Sequence, residues 1–128
     1  MKKLAVLAVA GLMSVTTSAK DWALISQTSK ADFYIDLDSI DFSGRYPQAF
    51  IKYAYNQVRM PAADGIKFNE AVVLHQFDCK SRPMRLKSLS VLYKLNGVVA
   101  YHVSSPDDWI IYYPGTASED ITKFICSY

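Results

Sequence analysis

Few side chains in this sequence could carry out chemistry, and its two histidines are the first candidates. His75 and His102 each lie in a segment whose composition is typical of a β-strand. An imidazole can act as a general base or bind a metal, but neither histidine has further metal-type ligands spaced near it. A strand histidine is more often one that only satisfies its own hydrogen bonds. We therefore predict no metal site and no catalytic histidine.

The acidic run at residues 36–41 and the serines give no stronger indication of catalysis. An EF-hand calcium loop needs glycine at its sixth position and glutamate at its twelfth, where this run has Asp41 and Pro47. No serine stands in a Gly-x-Ser-x-Gly motif, and the five glycines do not cluster into a phosphate-binding loop. We predict a protein that is not an enzyme and has no cofactor.

The N-terminus has the three parts of a secretory signal peptide. Lys2 and Lys3 precede an apolar run at residues 4–15, and small residues lead up to Ala19. This run is shorter than the roughly 20 residues of a transmembrane helix, and no cysteine follows it that could carry a lipid anchor. We predict that residues 1–19 are cleaved and that residues 20–128 form one exported domain. Its location would be periplasmic, secreted or surface-associated.

Export makes Cys79 and Cys126 a candidate disulfide. These are the only cysteines, and free thiols survive poorly in an oxidising compartment. Two cysteines so far apart also lack the paired spacing of a metal site. We predict one cross-link between the middle of the chain and its C-terminus.

The charge balance argues against a nucleic-acid partner. The chain has 14 Lys and Arg against 12 Asp and Glu, and two of those lysines belong to the predicted signal peptide. The exported part is therefore formally neutral, whereas binding to nucleic-acid phosphates needs a large basic excess. A neutral body gains no long-range steering from its net charge, so an electrostatic partner would be recognised by a local patch.

A two-residue period dominates the exported part and predicts a β-sheet. The strand-like segments are 22–28, 33–37, 49–57, 70–78, 88–95, 98–104 and, as a short last candidate, 109–113. Segment 70–78 is apolar on both faces, so we place it centrally. Asn96 and Gly97 tolerate a positive φ and predict a two-residue hairpin turn.

The C-terminal segment is the convincing helix of this sequence. Thr116 and Glu119 have the spacing of a capping box, and the apolar residues that follow, through Tyr128, recur with a 3.6-residue period. Cys126 lies off that stripe, so either the helix frays before it or its sulfur reaches the sheet from the helix flank. These elements predict an α+β fold, a single antiparallel β-sheet of about six strands with one C-terminal helix packed on it.

Positive charge is concentrated just after Cys79. Lys80, Arg82, Arg85 and Lys87 lie within one short segment, and a disulfide at Cys79 would hold them in place. This cationic patch could bind acidic glycans, anionic lipid head groups or an acidic protein face. The alternative is a charged sheet end that prevents edge pairing. We predict the patch as the partner-binding site.

Several short motifs stand in succession along the exported part. They are Asp21-Trp22, segment 33–40, Asp78-Cys79-Lys80 with Arg82, Trp109, Pro114-Gly115-Thr116 and Ile125-Cys126. This succession resembles the bacterial surface-adhesin protein E-like family. The resemblance implies a small sheet and a C-terminal helix joined by Cys79 and Cys126, and non-enzymatic attachment to host extracellular glycoproteins. The alternative function is a periplasmic inhibitor or accessory protein that docks on a bacterial envelope protein.

Overall fold

The structure, a computed structural model, describes residues 21–60 and 65–128. The predicted signal peptide therefore lies outside the described residues. The elements are β1 (Trp22–Gln27), β2 (Ala31–Asp36), β3 (Gln48–Arg59), β4 (Phe68–Asp78), β5 (Arg85–Leu95), β6 (Val98–Val103), β7 (Ile110–Ile111) and α1 (Ala117–Cys126). A single turn of 3₁₀ helix, Leu37–Ser39, follows β2.

The strands form one antiparallel sheet in the order β1-β2-β3-β4-β5-β6. β4 lies between β3 and β5, as its apolar faces predict. The short last candidate strand is β7, which pairs with β5 at Arg85 and Leu86, while β6 pairs with the other end of β5. The predicted α+β fold with one sheet and one C-terminal helix is confirmed.

The turn between β5 and β6 is set by the conformations of its two residues. Asn96 has φ of 51° and Gly97 has φ of 84°, both in the left-handed region that a type I′ turn requires. The Asn69 side chain of β4 holds this turn, because its Oδ1 accepts the Asn96 N–H at 3.0 Å and its Nδ2 donates to Asn96 Oδ1 at 3.1 Å. The predicted hairpin is confirmed.

Capping decides where α1 begins. Thr116 is the N-cap residue, and its Oγ1 accepts the Glu119 N–H at 3.4 Å. The Glu119 carboxylate reaches back by one residue more than in the usual capping box and accepts the Gly115 N–H at 3.0 Å. This bond and the ion pair with Lys123 lower the pKa of Glu119 below its usual value, so the carboxylate stays charged near the positive helix N-terminus.

The helix continues to Cys126, which settles how the disulfide is reached. Cys126 is bonded to Cys79 with a Cα–Cα distance of 5.5 Å, so the sulfur extends from the helix flank and the helix does not fray first. The buried helix residues are Ile121, Thr122 and Ile125. Tyr128 is 66% exposed, because the helix ends at Cys126, and its predicted place on the apolar stripe is wrong.

The main core lies between α1 and one face of the sheet, which we call the helix face. Ile35, Ile51 and Phe77 of three strands pack in one cluster with Ile121 and Ile125, and all five are fully buried. Because side chains alternate along a strand, the intervening residues point to the opposite side, the open face. No element among the described residues covers the open face, and the functional side chains described next lie at one end of it.

The N-cap hydroxyl is expected to contribute measurably to stability. Thr116→Ala should lower the free energy of unfolding by about 1 kcal/mol, because it removes the hydroxyl that accepts the Glu119 N–H and donates to the Tyr113 carbonyl oxygen. Thr116→Ser keeps the hydroxyl and serves as the control. Urea unfolding of both variants measures the difference, and an equal loss in the two variants would contradict the capping role.

Candidate functional site

The loop after β4 is organised by the buried carboxylate of Asp78. Asp78 Oδ1 accepts the N–H groups of Lys80 and Ser81 at 3.3 and 3.2 Å, and its Oδ2 accepts the Nε–H of Arg85 at 3.0 Å. Desolvation opposes ionisation of Asp78, but the hydrogen bonds from Arg85, Ser81 and Lys80 outweigh it and lower the pKa below its usual value. The loop that carries the positive charges therefore has a fixed shape, held at one end by the disulfide of Cys79.

Arg85 and Lys87 both contact one indole ring on the open face. Leu86 between them is buried in the core, so strand alternation directs both cations to the open face. The Arg85 guanidinium carbon lies 5.0 Å from the Trp109 ring centroid, and the Lys87 Nζ lies 4.9 Å from it. Trp109 reaches this position because β7, immediately after it, pairs with the start of β5.

A second aromatic ring and a fifth cation extend the arrangement. Tyr46 packs edge-on against Trp109 with a centroid distance of 4.9 Å, and the Arg45 guanidinium lies 5.3 Å from the Tyr46 ring. We call Arg45, Tyr46, Arg85, Lys87 and Trp109 the open-face cluster. Trp109 and Tyr46 come from segments far apart in sequence, and no local pattern indicated that they would meet at the cationic patch.

The other two members of the cationic patch lie in the loop itself. Arg82 is exposed, and its NH1 donates to the carbonyl oxygens of Cys79 and Ser81 at 3.2 and 3.0 Å. Lys80 is exposed, and its ammonium forms no ion pair with the described part of the chain. The structure thus brings Arg85 and Lys87 together around Trp109, while Lys80 and Arg82 stand on the neighbouring loop.

The cationic patch does not lie on a free edge of the sheet. Arg85 pairs with Asp78 of β4 on one side and with Ile111 of β7 on the other. The charges at Arg85 therefore do not protect a sheet edge, and the edge strand β6 contains no Lys, Arg, Asp or Glu. The ion pair of Arg85 with Asp78, at 3.0 Å from NH2 to Oδ2, leaves 38% of the arginine side chain exposed.

His75 is a buried histidine with both ring nitrogens occupied. Its Nδ1 lies 3.2 Å from the Lys87 carbonyl oxygen, which can only accept, so Nδ1 carries the proton. Its Nε2 then accepts the Tyr53 hydroxyl at 2.5 Å. Burial lowers the pKa of His75 to about 4 and raises the pKa of Tyr53, so both groups are neutral at physiological pH. His102 is exposed on β6.

The acidic run at residues 36–41 has a structural role in the described chain. Asp36 caps the 3₁₀ helix by accepting the Asp38 N–H at 3.1 Å, and Asp41 Oδ1 accepts the Ser43 N–H at 2.8 Å. Its hydrogen bonds with Ser43 lower the pKa of Asp41. Across residues 21–60 and 65–128, no group of three histidine, cysteine or acidic side chains is placed to hold a metal ion.

Fold and surface together define a class of protein: a small α+β domain, closed by a disulfide, with a cluster of cations and aromatic rings on one exposed sheet face. The chain belongs to the surface-adhesin protein E family, whose model matches residues 22–127. Membership suggests a surface adhesin that binds other proteins or surfaces, has a non-enzymatic role and is exported or surface-associated.

Two further comparisons give no match, since neither curated proteins nor solved structures show significant similarity to this chain. The one α-helix of the described chain has ten residues. Among residues 21–60 and 65–128, no helix has both the length and the apolar character needed to cross a membrane.

Proposed function

We propose that this domain is an exported, non-enzymatic adhesin-like protein. Its open-face cluster, together with Lys80 and Arg82 of the neighbouring loop, binds a protein or glycoprotein that presents acidic groups. The observation that carries the proposal is that the Arg85 guanidinium and the Lys87 ammonium lie 5.0 and 4.9 Å from the Trp109 ring centroid. Aromatic and arginine side chains dominate the binding energy of protein interfaces. Cations fixed over a ring keep their charge near the surface at a low cost in side-chain entropy.

Lys80 and Arg82, the cations of the loop, supply the charge-dependent part of partner binding. A guanidinium fork grips a carboxylate or sulfate at two positions, and Arg82 is exposed next to Lys80. Arg85 has a different role, because its guanidinium already neutralises Asp78. Reversing Arg85 to Glu would place two carboxylates side by side, so a binding test must leave this residue in place.

The proposal is tested with the triple variant Lys80→Gln, Arg82→Gln and Lys87→Gln. Its affinity for immobilised extracellular-matrix glycoproteins should fall about tenfold at low salt, mainly through slower association, and the difference should shrink as salt screens the charges. Surface plasmon resonance at two salt concentrations measures both effects. Trp109→Leu should weaken binding at both concentrations, because the anchor it removes is not a charge.

A matched variant separates the patch from overall charge. Lys30→Gln with Lys67→Gln removes two exposed lysines from other parts of the chain and should leave the affinity unchanged. Treating the glycoproteins with sialidase and sulfatase then shows whether the acidic groups belong to glycans or to protein. Equal affinities of the triple variant and the unaltered domain at low salt would refute the proposed site.

Location is part of the same proposal. An adhesin must be reachable from outside, so protease added to intact cells should degrade the domain, or it should be found in the medium. Recovery only in the periplasmic fraction would favour docking on a bacterial envelope protein instead.

A further inference from the structure

A groove of 460 Å³ lies on the helix face beyond the reach of α1. None of its lining residues belongs to α1. Its floor is the second apolar cluster, formed by Phe68, Ala71 and Val73 of β4, with tyrosines of β3 and β5 around them. This volume falls in the range of ligand-binding clefts, and the groove opens on the side of the sheet opposite the open-face cluster.

The tyrosines give the groove rigid aromatic walls. Tyr55 packs edge-on against Phe68 at a centroid distance of 5.7 Å, and Phe68 contacts Tyr93 at 4.7 Å. Each ring is thus fixed by its neighbours before any ligand arrives. Rigid aromatic surfaces give a large contact area at low conformational cost, which is why they serve as anchors in interfaces.

The two ends of the groove carry opposite charges. Arg59 pairs with Phe68 at one end, and its guanidinium lies 4.8 Å from the Tyr55 ring. At the other end Ser88 pairs with His75, and Asp107 is fixed there because its Oδ2 accepts the Ser88 hydroxyl at 2.8 Å.

The charges at both ends are available to a partner. Asp107, Asp108 and Arg59 are exposed lining residues, and none forms an ion pair with the described part of the chain. Phe68 and His75 are seven positions apart on β4, which at the rise of a strand separates the charged ends by roughly 24 Å.

We propose that this groove binds an extended peptide segment of a partner protein, with a basic residue at Asp107 and Asp108 and an acidic residue about seven positions away at Arg59. An extended chain covers about 3.4 Å per residue, so roughly eight residues span the charged ends. Alternate apolar side chains of that segment would then rest on the tyrosine walls. This proposal is distinct from the one for the cationic patch, because the charges it depends on are Arg59, Asp107 and Asp108; Lys87 is the patch residue that also lines the groove.

The probe is a synthetic octapeptide with blocked ends, Arg-Leu-Ser-Leu-Ser-Leu-Ser-Glu, and its neutral counterpart carries Gln at both ends. Isothermal titration or NMR with the whole domain should show that the charged peptide binds at least about tenfold more tightly than the neutral one. Asp107→Asn with Asp108→Asn should remove most of that preference. Asparagine at position 107 keeps the main-chain N–H bond to the Ser88 carbonyl, so the variant is expected to fold.

Three controls make the outcome decisive. Asp38→Asn removes an exposed acid elsewhere and should not change peptide affinity. Lys80→Gln with Arg82→Gln should not change it either, which separates the two sites without altering Lys87, a residue that lines the groove. Arg59→Gln should weaken the charged peptide about threefold. Equal binding of the two peptides, or unchanged binding by the double aspartate variant, overturns the proposal. Self-association that disappears in that variant would also overturn it, because the occupant would be a second copy of this chain.

Discussion

Cys79→Ser is expected to lower the free energy of unfolding by about 4 kcal/mol, the largest effect we predict for a single substitution. The bond closes a long loop, since its two ends are 47 positions apart, and removing it restores the conformational entropy of that loop to the unfolded chain. The entropy of the denatured state is not the only contribution to this loss of stability. In the folded state the bond also fixes α1 to the end of β4. Urea unfolding with and without reductant measures the loss.

The corresponding variants identify the cross-link as the cause. Cys126→Ser and the double variant should each lose the same amount as Cys79→Ser, because all three remove the same bond. Reductant should destabilise the unaltered domain to the same level and leave the variants unchanged. Additive losses in the double variant would mean that the two side chains stabilise the fold separately, against the prediction.

His75 is expected to make the domain sensitive to mild acid. Its pKa is about 4 in the folded domain and 6.5 when exposed, so between these values the unfolded chain binds a proton that the folded chain does not. The stability due to neutral His75 is therefore fully present above pH 6.5 and is lost as the pH falls. Linkage gives a loss of about 2 kcal/mol between pH 7 and pH 5. Chemical unfolding at a series of pH values measures it.

The neighbours of His75 do not titrate in this range. Tyr53 from β3 has a raised pKa, and the contact from β5 is the main-chain carbonyl of Lys87. The lowered pKa values of Asp41, Asp78 and Glu119 act at lower pH and are common to all variants.

His75→Gln supplies the control for this pH effect. It keeps a polar group for the Tyr53 hydroxyl but cannot take up a proton, so its stability should change little between pH 7 and pH 5. A parallel decline in the variant would show that another group is responsible.

Local patterns were enough to predict the elements of the fold. The turn at Asn96 and Gly97, the cap at Thr116 and the alternation in β3 each depend on residues a few positions apart, whose conformational preferences act within the chain segment itself. The pairing of Cys79 with Cys126 followed from there being only two cysteines in a chain predicted to be exported. Boundaries were less certain: β5 begins at Arg85, three residues earlier than predicted, because pairing with β4 and β7 extends it.

The candidate site was predictable only in part. The charges of Lys80, Arg82, Arg85 and Lys87 could be recognised because they are adjacent in sequence. Their different surroundings could not be predicted, since Asp78 forms an ion pair with Arg85 and the indole of Trp109 contacts both Arg85 and Lys87. These contacts depend on how β7 and the loop before β3 meet β5, and that is set by packing across the sheet.

The strands, the helix, the hairpin turn and the disulfide could be predicted from the sequence, because each follows from short-range preferences or from a count of residues. The contact of Trp109 with two cations, the burial of His75 against Tyr53 and the groove beyond α1 became visible in the folded domain alone. Strand order and register bring these distant residues together. The free energy of each such contact depends on the burial and charge of residues that are distant in sequence, and no local pattern encodes it.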